Sequence, residues 1–219
     1  MQTIESYKPD TFKPLVLIVE GPDRCGKGTF IETVKSLVTY SDIIHMHSSK
    51  PPGRFFFDIK GNPVFLNKAQ KIWAKGYNIN LLNNVEMLLK TNSVIILDRS
   101  YIGEYVYGNL YRNAKYTIED FAKFEKDYLK LDNAHYVLIN FKDTPNNLIS
   151  REDGQSHSSK FGDKFNELML FDLLYEKSKI NNKLIVNWSN LDFNKTVLTT
   201  IAESIINDWV SERGNINAD

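Results

Sequence analysis

Short apolar runs alternate along this chain with longer stretches in which apolar residues recur every three or four positions. Leu15–Val19 is a continuous apolar run and predicts a buried strand. Phe30, Ile31, Val34, Leu37 and Val38 then share one helical face, which predicts a helix over Thr29–Thr39. The alternation continues. Strands are expected at Ile43–His47, Ser93–Leu97, Tyr136–Phe141 and Lys183–Trp188. Helices are expected at Asn67–Lys90 (with Gly76 as a candidate kink), around Tyr101–Tyr111, and at Thr117–Leu131, Asn146–Arg151, Phe165–Ser178 and Val197–Val210. Strands alternating with helices predict an α/β fold: a five-stranded, mostly parallel sheet with helices on both faces.

The polar interruptions carry their own information. Pro51-Pro52-Gly53 stops regular structure and opens a turn-rich insertion over 54–66, where Phe55–Phe57 reads as packing. The polar run Glu152–Lys160 separates two helical patterns and predicts a mobile lid over 151–164. Residues 1–13 read as an N-terminal extension and 211–219 as a polar tail, around a single domain spanning 1–219. There is no internal repeat.

Composition narrows the class. Apolar residues make up 42% of the 219, enough for a full core, and 27 Lys and Arg balance 27 Asp and Glu. That balance argues against a nucleic-acid coat or a membrane-surface protein, which carry excess positive charge. A single cysteine, Cys25, cannot form an internal disulfide, and a reducing cytoplasmic compartment is expected. The four histidines show no zinc spacing, and His45 and His47 read as structural. No apolar run approaches the ~20 residues of a membrane span, and the N-terminus lacks the apolar core of a signal peptide.

The chemistry concentrates after the first strand. Gly21-Pro-Asp23-Arg24-Cys25-Gly26-Lys27-Gly28-Thr29 nearly matches the phosphate-binding pattern G-x-x-x-x-G-K-[ST], with a strand before it and a helix after it. Glycines let backbone N–H groups curl around phosphate oxygens, and the helix start adds unpaired N–H groups and a positive dipole end. Lys27 supplies a point charge. Gly28 stands where a hydroxyl usually holds magnesium, and the hydroxyl comes one residue later at Thr29. A metal is therefore expected to be held through phosphates and water. Cys25 reads as a small residue facing inward. Asp98 and Arg99 directly follow the third strand, on the rim where open α/β sheets bind ligands. Lys50, Arg151 and Lys160 extend the set of cations that phosphoryl transfer requires.

These residues together resemble the thymidylate kinases. VEGPDRCGKGT resembles that family's FEGxDxxGKST loop, Ser49-Lys50-Pro51-Pro52-Gly53 its T-R-E-P-G, and Asp98-Arg99-Ser100 with Val106-Tyr107 its D-R-Y-x-x-S-x-x-A-Y. Lys160-Phe161 resembles the Arg-aromatic pair after the lid. The likeness runs in order from about Leu15 to Val210. It implies the P-loop NTPase fold, with ATP as donor and Mg2+ as cofactor. It also implies roles: Arg24 and Lys27 on the transferring phosphoryl group, Asp98 holding magnesium or water, and Arg99 and Lys50 on an acceptor monophosphate. Asp23 would reach the sugar 3′-hydroxyl, Tyr107 would disfavour a 2′-hydroxyl, and Trp73 would stack on the base. A homodimer is implied as well.

Three departures qualify the likeness. Tyr77 stands where the family has an Arg that reads the base edge, Ser100 replaces a Tyr, and Gly28 replaces the magnesium-ligand Ser. Trp73 and Tyr77 share a helix face by their spacing, and core packing explains them equally well. The resulting expectation is a kinase acting on dTMP or a modified pyrimidine deoxynucleotide, with small nucleotides rather than nucleic acid as partners. Three alternatives stand beside it: a deoxynucleoside kinase using Asp98 or Glu20 as base, a kinase of a hydroxylated base within DNA, and an ATP-binding regulatory protein that transfers nothing.

Overall fold

The computed structural model describes residues 13–38, 43–47, 67–91, 94–130, 134–154, 156–190 and 195–214. The side chains of 47, 67–75, 190 and 212–214 lie outside the description. So do the extension up to residue 12, the segment 48–66 with Lys50 and Phe55–Phe57, and the tail from 215.

Five strands carry the sheet: β1 (Leu15–Glu20), β2 (Ile43–His47), β3 (Val94–Asp98), β4 (His135–Lys142) and β5 (Asn182–Asn187). Their order is β2-β3-β1-β4-β5, and all four pairings are parallel. The helices are α1 (Lys27–Leu37), α2 (Asn67–Leu88), α3 (Tyr101–Tyr111), α4 (Ile118–Leu129), α5 (Pro145–Ser150), α6 (Phe161–Lys177) and α7 (Lys195–Gly214). None of the described helices is long and apolar enough to cross a membrane.

The central strand shows why the sheet is covered on both faces. Every residue of β1 is buried, as expected of a parallel strand flanked on both sides. Side chains alternate across a strand. Leu15, Leu17 and Val19 join Phe30, Ile31 and Val34 of α1 and Leu198, Ala202 and Trp209 of α7 in one core. Val16 and Ile18 join Val85 of α2, Ile102 and Val106 of α3, Phe121 of α4 and Phe171 of α6 in the other. Each Val, Leu, Ile or Phe among them contributes about 1.5–3 kcal/mol by leaving water. Phe30 meets Phe141 of β4 at 5.5 Å between ring centroids, which anchors α1 against the sheet.

Local signals set the helix ends. At α4, Thr117 accepts from the Asp120 N–H and Asp120 accepts from the Thr117 N–H, a reciprocal cap worth about 1 kcal/mol. At α5, Thr144 accepts from the Asn147 N–H, and Pro145 occupies the first turn, where its missing N–H costs nothing. Two helices outrun expectation by four residues: α7 ends at Gly214 rather than Val210, taking in the start of the expected tail, and α6 begins at Phe161 rather than Phe165. The last four residues of the expected lid are therefore the first turn of this helix, and the non-helical part ends at Lys160.

Candidate phosphate-binding site

The parallel register aligns the strand ends. Val19 of β1 faces Asp98 of β3, and Glu20 faces Asn140 of β4. The segments that follow β1, β3, β4 and β5 therefore emerge on one rim, where α/β sheets bind ligands.

The loop between β1 and α1 turns on two glycines. Gly21 has φ +132° and Gly26 has φ +92°, both in the region that L side chains avoid. Space excludes a side chain at both as well. A Cβ at Gly21 would overlap the Phe141 carbonyl oxygen, and one at Gly26 would lie 2.5 Å from the Trp188 ring. Gly26 caps α1 without a side-chain bond, so the first-turn N–H groups have no side-chain cap. Arg24 and Arg99 adopt left-handed backbone too, each at φ +68°, an unusual conformation for arginine.

A chamber of about 480 Å³ opens over this loop. Asp23, Arg24, Gly26, Lys27, Gly28 and Thr29 line it from the loop side, Asp98 and Arg99 from the end of β3, Arg151 from the end of α5, and Trp188 from the turn after β5. Nine of these ten residues are ones the sequence singled out. Lys27 Nζ donates to the Gly21 and Pro22 carbonyls at 3.0 and 2.5 Å, folding over its own loop. Cys25 is buried, as expected, and its thiol donates to the Pro22 carbonyl at 2.9 Å. Burial pushes that thiol's pKa up, which favours packing over thiolate chemistry.

The cations are paired internally. Arg99 pairs with Asp23, Arg24 with Asp153, and Arg151 with Asp143. Arg151 also donates to the Arg24 carbonyl at 2.6 Å. Tyr107 does not line the chamber. It lies behind Arg99, whose guanidinium sits 4.9 Å above its ring, and its buried hydroxyl lacks a hydrogen-bond partner among the described residues. Burial drives the Tyr107 pKa well above the ordinary tyrosine value. Tyr77 is partly buried against the core that includes α3. Lys160 is exposed at the start of α6 and is not among the chamber residues. Lys50 and the Trp73 side chain lie outside the described residues.

Beneath the rim, Glu20 is fully buried. It accepts from the Ser100 N–H at 2.6 Å and the Ser100 hydroxyl at 2.7 Å, tying the end of β1 to the start of α3. Burial raises its carboxyl pKa to about 7, against the opposing hydrogen bonds of Ser100 and the charges of Arg99 and Lys27.

Several contributors escaped the sequence reading. Trp188 covers Gly26, but a tryptophan ending an apolar strand is indistinguishable from ordinary core. His45 Nε2 lies 3.6 Å from Asp98 Oδ2, a contact that only the β2–β3 register creates. Asp143, directly after β4, resembled a simple loop residue. It accepts from the Thr144 N–H, from Asn147 Nδ2 and from Arg151. Its position after a strand end was the one signal available. Among the described residues, no three His, Cys, Asp or Glu side chains form a metal-holding group.

No known family profile matches the chain, and no curated protein matches it in sequence. Solved structures do match in shape. The YorR protein of Bacillus subtilis, solved in complex with phosphorylated GDP, aligns with a TM-score of 0.54 at 17% identity, over 88% of this chain and 94% of its own. Thymidylate kinase from Candida albicans aligns with a TM-score of 0.59 at 16% identity, over 88% of this chain and 92% of its own. Polyphosphate kinase 2 from Arthrobacter aurescens aligns with a TM-score of 0.54 at 15% identity, over 94% of this chain and 70% of its own. The chain therefore has the α/β P-loop fold found in these proteins.

Proposed function

We propose that this protein is an ATP-dependent phosphotransferase of the thymidylate kinase type. Its acceptor is a deoxynucleoside 5′-monophosphate, with dTMP or a modified pyrimidine counterpart favoured. The observation that carries this reading is the convergence of Arg24, Lys27, Arg99 and Arg151 on one chamber at the start of α1. Phosphoryl transfer asks for positioning and positive charge more than for covalent help, and two mutually repelling phosphate groups need several cations.

In this reading the loop from Gly21 to Thr29 holds the donor phosphates, with Arg24 and Lys27 on the transferred group. Arg99, and Lys50 from the segment after β2, take the acceptor phosphate. Asp23 orients the acceptor sugar, the base-stacking role falls to Trp73, and Tyr77 takes the place of the family's base-reading Arg. Tyr107 supports Arg99 from behind. Magnesium suits the donor set, because it needs few protein ligands and keeps its waters and substrate phosphates. Asp98 would hold it, and it would supply charge neutralisation on the phosphates. A lid closing over the chamber would exclude water from the donor. Of the two candidate bases of a deoxynucleoside kinase, Glu20 is buried against Ser100 and is not among the chamber residues, whereas Asp98 lines the chamber. A cytoplasmic location and a homodimer belong to the same proposal, the dimer on the likeness alone. Light scattering would read twice 25.3 kDa for it.

A coupled ADP-release assay tests the function. ATP and magnesium are supplied with a panel of deoxynucleoside monophosphates, ribonucleotides, free nucleosides and a DNA oligomer. Turnover on one deoxynucleoside monophosphate is expected. Turnover confined to nucleosides or DNA would sink the monophosphate assignment. ATP binding without turnover on any acceptor would make the protein a nucleotide-dependent regulator.

A further inference from the structure

Arg24 leaves the phosphate loop in left-handed conformation, and its guanidinium is met by the lid. Nη2 pairs with Asp153, and Nε lies 4.0 Å from Glu152 Oε1. Glu152 is itself held in place: the Gly154 and Ser156 N–H groups donate to Oε1 at 3.0 and 3.2 Å, and the Ser156 hydroxyl donates to Oε2. One residue earlier, Arg151 donates to the carbonyl of Arg24. The lid thus grips both the backbone and the side chain of a single loop residue. Carboxylate and phosphate oxygens compete for the same planar set of guanidinium N–H donors. A polyphosphate entering the chamber meets an arginine already facing two carboxylates.

We propose that Glu152 and Asp153 form an acidic latch that occupies Arg24 until the donor's phosphates displace it. This rests on the reading of the chamber as a donor-phosphate site and adds its regulation. Displacement is easy because the contacts are partly wet: the side chains of Arg24, Glu152 and Asp153 are 23%, 14% and 51% exposed. Such pairs are weak, and a polyphosphate offers more charge than either carboxylate. The exchange releases the side-chain half of the grip on Arg24 when the donor arrives, while the Arg151 bond to the Arg24 carbonyl is not part of it. Lid movement is thereby tied to donor occupancy, because the ligand favours the unlatched state.

The test is a gain of affinity, which misfolding cannot imitate. Binding of ATP, and of tripolyphosphate as a probe without a base, is measured by calorimetry for the wild type, for Glu152→Gln/Asp153→Asn, and for Asp153→Asn alone. The double variant is expected to bind both probes about two- to tenfold more tightly, the sum of two weak pairs. The single variant is expected to shift in the same direction by less. In an Arg24→Ala background the double substitution is expected to change nothing, since its partner is gone. Equal or weaker binding in both variants, with a wild type that binds, would overturn the latch and leave the donor site standing. If neither wild type nor variants bind either probe, the latch and the donor-site reading fall together.

Discussion

At the scale of single residues, Glu20 is the group with the clearest consequence for stability. Its folded pKa of about 7 stands above the ordinary 4.5, so the folded state binds the proton more tightly than the unfolded chain. The contribution is complete below pH 4.5 and declines to nothing as pH rises through about 7. The range is on the order of 3 kcal/mol at 1.36 kcal/mol per pKa unit. Glu20→Gln keeps an oxygen acceptor for Ser100 and removes the titration. Urea unfolding of the wild type is expected to show stability falling between pH 5 and pH 8, and the variant is expected to show a flatter profile. An equal slope in both would remove Glu20 as the source.

At the scale of elements, α6 inverts the usual rule for a surface helix. Phe161, Phe165, Met169 and Leu173, four residues apart, are exposed, while Lys164 and Glu167 are buried. The buried pair satisfies itself: Lys164 Nζ donates to Glu167 at 3.2 Å, and Glu167 also accepts from the Tyr111 hydroxyl of α3 at 2.5 Å. Breaking one side of a buried pair leaves an uncompensated charge. Lys164→Met is therefore expected to lower stability by about 3 kcal/mol, and Lys164→Met/Glu167→Gln to recover most of that loss. Thermal unfolding of the two variants checks it. A double variant as weak as the single one would show that the charge pair is not what matters there. The ring of His157, between α5 and α6, stacks on Tyr111 at 4.8 Å and lies 5.2 Å from Tyr107, joining that segment to the face of α3 behind Arg99.

At the scale of the whole molecule, the chamber collects residues from the segments that follow four separate strands, so its ligand should report on the entire fold. A ligand that binds only the folded state stabilises it by about 2.7 kcal/mol at a concentration of 100 Kd. ATP is accordingly expected to raise the melting temperature of the wild type and to leave that of Lys27→Ala unchanged. A thermal shift retained in Lys27→Ala would place nucleotide binding elsewhere. The larger hollow of about 630 Å³ between β4, β5 and α7, lined by His135, Lys183 and Asp208 among others, lies at the strands' other end and is the place to look in that event.

The local pattern of residues determined the elements of this protein and the loop at its centre. Continuous apolar runs could only be buried strands once glycine, proline and helical periodicity bounded them. The Gly21–Thr29 spacing, between a strand and a helix, marked the loop that lines the chamber without reference to any partner. Asp98 and Arg99 stood out in the same way, as charges at the end of a core strand. What tertiary structure alone decided is who meets whom. Arg99 finds Asp23 across 76 positions, Ser100 finds Glu20 across 80, and Arg151 finds the Arg24 carbonyl across 127. None of these pairings has a local signature, because a charged side chain reads alike whether it faces water or an opposite charge. The early start of α6 was hidden for a related reason. Its first turns bury a lysine and a glutamate and expose two phenylalanines, so the apolar pattern pointed away from the core until α3 supplied the tyrosine that completes the buried network.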